Sequence, residues 1–162
     1  MWSLWRRFGT ATTDGIYSIA GGASGRGASY GVNWAQGEAG YVRYTFASPK
    51  SFGPGTVVAI DLSVTVALPG TQVFLLLSNG ESSSAATTTY RSRMGELVTG
   101  TSYRTFSFSV TDDSVRRVAG TAPLSEVLKS LSSVTIMFTN TDGEGAQSIH
   151  FDNFTISASP AR

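Results

Sequence analysis

Residues 56–68 read Thr-Val-Val-Ala-Ile-Asp-Leu-Ser-Val-Thr-Val-Ala-Leu. Ile60, Leu62, Val64, Val66 and Leu68 alternate with Ala59, Asp61, Ser63, Thr65 and Ala67. A period of two sends successive side chains to opposite faces, so this is a strand with one buried face. Outward from it, shorter runs of the same kind fall at 15–20, 28–36, 40–47, 72–78, 87–94, 103–110, 133–139 and 148–157. Turn signals separate them, among them Gly21-Gly22, Ser48-Pro49, Gly53-Pro54-Gly55, Pro69-Gly70, Asn79-Gly80 and Asp142-Gly143. Leu124, Val127, Leu128 and Leu131 instead fall at helical spacing. Pro123 is suited to a first turn there and Thr121 to a cap, so a short helix is expected over 123–130. The reading is all-β: a single antiparallel β-sandwich of about nine strands with one short helix. It occupies residues 14–158, with residues 1–13 as an aromatic and basic arm.

Composition narrows the function. The 162 residues suit one ordinary core. With no cysteine, neither a disulfide framework nor a thiolate site is possible. Only 14% of residues are charged and the net charge is +1, which argues against a nucleic-acid partner. No run approaches a membrane span, and the apolar stretch at the amino terminus is too short for a secretory signal.

The faces of two strands suggest where a ligand would lie. In 40–46, Val42, Tyr44 and Phe46 point inward and leave Tyr41, Arg43 and Thr45 outside. In 103–110, Phe106, Phe108 and Val110 share one face, and Tyr103, Thr105, Ser107 and Ser109 the other. The closing segment, Ser148-Ile-His-Phe-Asp-Asn-Phe-Thr-Ile-Ser157, carries an adjacent Asp152-Asn153 inside an apolar strand. These groups need partners, because an unpaired buried polar group costs roughly 1–3 kcal/mol.

An apolar, apolar, Asp-Asn, apolar ending, together with the order of elements from about Asp14 onward, resembles jelly-roll carbohydrate-binding modules and their galactose-binding-like relatives. The resemblance implies non-catalytic glycan binding on an outer sheet face. Aromatic rings would stack on the sugars there while polar groups bond the hydroxyls. Trp34, Tyr41, Arg43 and Tyr103 are the candidates, although no cluster of exposed tryptophans accompanies them. The resemblance also implies a structural calcium ion held by Asp152, with Asp14 as a second ligand by proximity. Independently, the loop 140–145 places Asn140, Asp142 and Glu144 at alternate positions; this reads first as a polar turn between strands and second as the first half of a calcium loop.

Parts for catalysis are scarce. His150 is the sole histidine and no acid is placed to orient it, so it reads as an ordinary strand residue and no enzyme is expected. The first residues, with Trp2, Trp5, Arg6 and Arg7, ask to be covered, since a large apolar side chain left in water forgoes about 1.5–3 kcal/mol. They would fold over their own sandwich or hook into an identical subunit or a capsid or filament partner. The alternative to glycan binding is therefore a structural subunit of an assembly, such as a virion decoration protein or a surface filament. Either reading expects an extracellular or virion-surface setting.

Overall fold

The structure is a computed structural model. It describes residues 2–6, 16–20, 26–34, 39–80, 87–142 and 145–158, the first three stretches by their backbone alone. All nine expected strands are present, and three more join them. In chain order they are β1 (Trp2–Arg6), β2 (Ile16–Ala20), β3 (Arg26–Trp34), β4 (Ala39–Lys50), β5 (Thr56–Val64), β6 (Thr71–Ser78), β7 (Thr89–Ser92), β8 (Glu96–Leu97), β9 (Arg104–Val110), β10 (Val115–Ala119), β11 (Leu131–Asn140) and β12 (Gly145–Ser157). One helix, α1 (Leu124–Lys129), precedes β11.

The strands form two antiparallel sheets. The first runs β1-β4-β11-β6-β7-β10, with β8 also paired to β6, and the second runs β2-β3-β12-β5-β9. Their inner faces supply the core: Val42, Val73, Leu75, Leu77, Ile136 and Phe138 from the first sheet meet Val58, Ile60, Leu62, Phe106 and Ile149 from the second. Most of these side chains are almost wholly removed from water, each contributing about 1.5–3 kcal/mol against exposure. Leu124, Val127 and Leu128 of α1 join the same core, and the Phe52 N–H donates to the Leu128 carbonyl at 2.9 Å.

Three local expectations change. The strand opened at Thr56 ends at Val64, and Val66 is 48% exposed. Past that point the backbone turns, with the Leu68 N–H on the Val66 carbonyl at 3.1 Å and the Gln147 amide nitrogen on the same carbonyl at 2.6 Å. The N-cap position of the helix is held by Pro123, without a side-chain capping bond, rather than by Thr121. The buried Thr88 hydroxyl accepts the N–H groups of Thr121 and Ala122 at 3.2 and 3.1 Å and holds that segment in the approach to the helix. Lastly, the backbone of residues 2–6, expected as an arm over its own sandwich or a neighbour, pairs with β4 of its own chain, Trp5 opposite Tyr41 and Leu4 opposite Val42.

The Asp152-Asn153 pair leads into a β-bulge formed by Asn153 and Phe154 opposite Ile60. Pairing between β12 and β5 slips between Asp152 and Thr155, so two residues of one strand oppose one of the other. Asn153 adopts φ 47°, the one non-glycine residue with positive φ among the described residues, a region asparagine tolerates better than most. Without the slip, a strand with Ile149 and Phe151 inward would turn Phe154 and Ile156 to solvent. With it, Ile156 stands opposite Val58, and Phe154 packs on Tyr44 of the other sheet with ring centroids 5.7 Å apart. Across the ladder, Asp61 accepts the Asn153 side-chain amide at 2.8 Å and the Thr105 hydroxyl at 2.5 Å. The Asn153 N–H bonds the Asp152 carboxylate at 2.8 Å. Asp61 thus meets Asn153 and Thr105, while Arg43 belongs to the other sheet and Arg104 stands opposite Leu62.

Candidate functional site

The outer face of the first sheet carries a trough. Its floor is β11, whose outward residues Ser133, Thr135 and Met137 are buried although they point away from the core; Thr135 is 3% exposed. Its walls are the neighbouring strands. Ladder pairing sets Met137 between Tyr41 of β4 and Phe74 of β6, and Thr135 between Arg43 and Leu76. The wall residues are longer than the floor residues they flank, and all four are half-buried. Strand alternation alone puts them on this face, because their neighbours Val42, Leu75 and Leu77 fill the core.

Polar groups are fixed along the trough. The Arg43 Nε donates to the Thr135 hydroxyl at 3.2 Å and so leans over the floor. Arg91 of β7, opposite Leu76, lays its guanidinium over the Phe74 ring at 4.9 Å from the centroid, a cation–π contact of about 0.5–1 kcal/mol at partly exposed sites. Burial and the charge of Arg116 both push Arg91 below the usual arginine range, with the Tyr41 hydroxyl acting the other way. Gly95 completes the wall, since a Cβ there would stand 2.5 Å from the Phe74 ring. The arrangement offers aromatic surface, hydroxyls and guanidinium donors, the groups a sugar ring meets well.

The structure divides the sequence-derived candidates. Tyr41 and Arg43 lie together on the trough. Trp34 belongs to β3 in the other sheet, its backbone opposite Gly145, so it does not share their layer. Tyr103 precedes β9 of that sheet and lines a pocket of about 320 Å³ with Leu62, Val98, Arg104 and Phe106. Its buried hydroxyl has no hydrogen-bond partner there. Phe74, Arg91, Thr135 and Met137 are the trough residues that sequence reasoning missed.

The expected metal ligands also separate. Asp142 precedes β12 while Asp152 lies past its midpoint, roughly 20 Å away at ~3.3 Å per residue. The backbone N–H of Asp142 bonds the Asn140 side chain at 3.2 Å, and Asn140 in turn donates to the Thr71 hydroxyl at 3.1 Å, a polar turn. Asp14 and Glu144 lie outside the described residues, as does Arg7. Among the described residues no group of three or more His, Asp or Glu side chains comes together. His150 stands on the outer face of the second sheet opposite Ser63 and Ser29. No helix among the described residues is long and apolar enough to cross a membrane.

No family model matches the chain, and no curated protein matches it. Solved structures do. A family 11 carbohydrate-binding module from Clostridium thermocellum, in complex with a β-1,3-1,4-mixed-linked tetrasaccharide, superposes with a TM-score of 0.67 at 13% identity, covering 98% of this chain and 89% of that one. A family 28 carbohydrate-binding module specific for non-crystalline cellulose gives 0.57 at 13% identity over 89% and 82% of the two chains. An exo-β-agarase gives 0.58 at 10% identity, with 99% of this chain covering 24% of the enzyme. The fold is therefore the jelly-roll β-sandwich that carbohydrate-binding modules have.

Proposed function

We propose that this chain is a non-catalytic module that binds a glycan along the trough of the first sheet and acts where polysaccharide is found, outside the cell. The observation that carries the reading is the sunken floor of Thr135 and Met137, continued by Ser133, with Thr135 and Met137 set between the half-exposed walls of Tyr41, Arg43, Phe74 and Leu76. A sugar chain laid there would stack on Tyr41 while its hydroxyls meet Arg43 and Arg91. Two of the similar structures support the reading through what they hold or prefer, a β-1,3-1,4-mixed-linked tetrasaccharide and non-crystalline cellulose.

Affinity electrophoresis through gels containing soluble polysaccharides tests it. Tyr41→Ala should weaken retardation by about tenfold or more, the loss of one stacking aromatic. Ser107→Ala, on the outer face of the second sheet, should leave it unchanged. Retardation indifferent to Tyr41→Ala, or equally damaged by Ser107→Ala, would move the site elsewhere.

A structural calcium ion at Asp152 is a separate proposal. Its support is that Asp152 stands directly opposite Asp61 across the β5–β12 ladder, two carboxylates of the kind calcium takes as oxygen ligands. Calcium takes 6–8 oxygens, so these two carboxylates would be only part of its shell. A tight chelator is expected to lower the melting temperature through loss of native-state binding; an unchanged melt would remove the ion.

A further inference from the structure

One row of the trough face carries three arginines between β4 and the edge strand β10. Ladder pairing sets Arg43 opposite Thr135, Thr135 opposite Leu76, Leu76 opposite Arg91 and Arg91 opposite Arg116 of β10. With strands about 4.8 Å apart, three guanidinium groups share a line running across the sheet. None of the outward-facing residues of β4, β11, β6 or β7 is acidic. Glu96 of the short β8 is committed to Arg104 at 3.0 Å. Arg91 and Arg116 are direct cross-strand partners, an arrangement that is unfavourable for like charges.

Arg91 is also prepared as a donor. Its guanidinium is held over Phe74, and its Nε is buried with no hydrogen-bond partner. An orphaned donor inside a folded protein calls for an explanation. A guanidinium fixed on a ring face, with donors unspent, matches the planar two-oxygen geometry of a carboxylate or the oxygens of a sulfate ester. The lowered arginine affinity for its proton, from burial and Arg116, agrees with a charge that meets no carboxylate among the described residues of its face.

We infer that the trough takes an anionic glycan, a chain whose rings carry oxyanions, with Arg91 as the fork that engages the anionic group and Arg116 as a second charge beside it. This deepens the glycan reading and rests on it. Tyr41 supplies the stacking surface, and the Arg91–Arg116 pair discriminates between charged and neutral chains.

The test compares retardation of the intact chain by polygalacturonate, a sulfated galactan, neutral mixed-linked β-glucan and a single-stranded oligonucleotide, each at low and high salt. The expected result is retention by at least one anionic polysaccharide, stronger than by the neutral glucan and falling steeply as salt rises. Whichever of the uronate and sulfate polymers is held more tightly identifies the oxyanion. Arg91→Met, which keeps an apolar stem on Phe74, should weaken that retention about 30-fold. Arg91→Lys should recover only a small part of it, since a point charge lacks the fork. Arg116→Gln, at an exposed position, should weaken it about threefold. Neutral glucan held as tightly, without salt dependence and indifferent to both arginine changes, overturns the anionic preference and leaves the glycan reading standing. Retention by no polysaccharide overturns both. An oligonucleotide held as tightly as the best polysaccharide overturns the inference by showing unselective attraction to polyanions.

Discussion

The two outer faces of the sandwich follow the same alternation rule and arrive at opposite surfaces. On the first sheet, long side chains on β4, β6 and β7 stand over a floor of Ser133, Thr135 and Met137 that water hardly reaches. On the second, Ala59, Ser107, Ser109, Thr155 and Ser157 are small and lie level with one another. Being polar does not separate the faces, since both are rich in hydroxyl groups. Relief does: a residue that faces away from the core and is nonetheless buried marks a depression, and among the described side chains the first sheet has three in succession on β11 while the second has Ser63 alone, opposite His150. The hydrogen-bonded cluster of the second face, Asp61 with Thr105 and Asn153, is spent on the bulge and so serves the fold.

That division can be broken by experiment. The largest effect on folding should come from Asn153→Ala, which combines a strained left-handed backbone with the loss of the bond to Asp61, about 2 kcal/mol in chemical unfolding. Asn153→Gly keeps the backbone free and should cost about half as much. Glycan retention by the refolded variants should match the parent; a loss would show that the second face also binds. A smaller effect is expected from Gly95→Ala, where the new Cβ pushes on the Phe74 ring and costs about 1 kcal/mol. This change should weaken glycan retention as well, because Phe74 carries Arg91. Retention that survives it unchanged would take Phe74 and Arg91 out of the site.

Much of this could be read in the chain before the structure. The nine strands, their antiparallel layering and the short helix follow from period and turn chemistry, and Tyr41 and Arg43 were placed on an outer face by alternation alone. Trp34 and Tyr103 could not be sorted from them, because which sheet a strand joins is decided by pairing between distant segments. Phe74, Met137 and Thr135 were hidden for another reason: in 72–78 and 133–139 apolar residues occupy both faces, so their outward members look like core. Arg91 sits in a strand of four residues, too short to display a period. The bulge did leave a trace. Large apolar residues fall at Ile149 and Phe151, then at Phe154 and Ile156, and that change from odd to even positions is the slip itself.

Both sheets have their middle filled by late arrivals. β11 lies between β4 and β6, and β12 lies between β3 and β5. As the chain leaves the ribosome, each half-sheet therefore waits with an open slot until the last quarter of the polypeptide emerges. Non-local pairing of this kind is slow, and unpaired strand edges invite association with other chains. The domain should consequently gain its protease resistance late, in one step after β12 is complete, and partial chains ending before β11 should depend on chaperones to stay soluble.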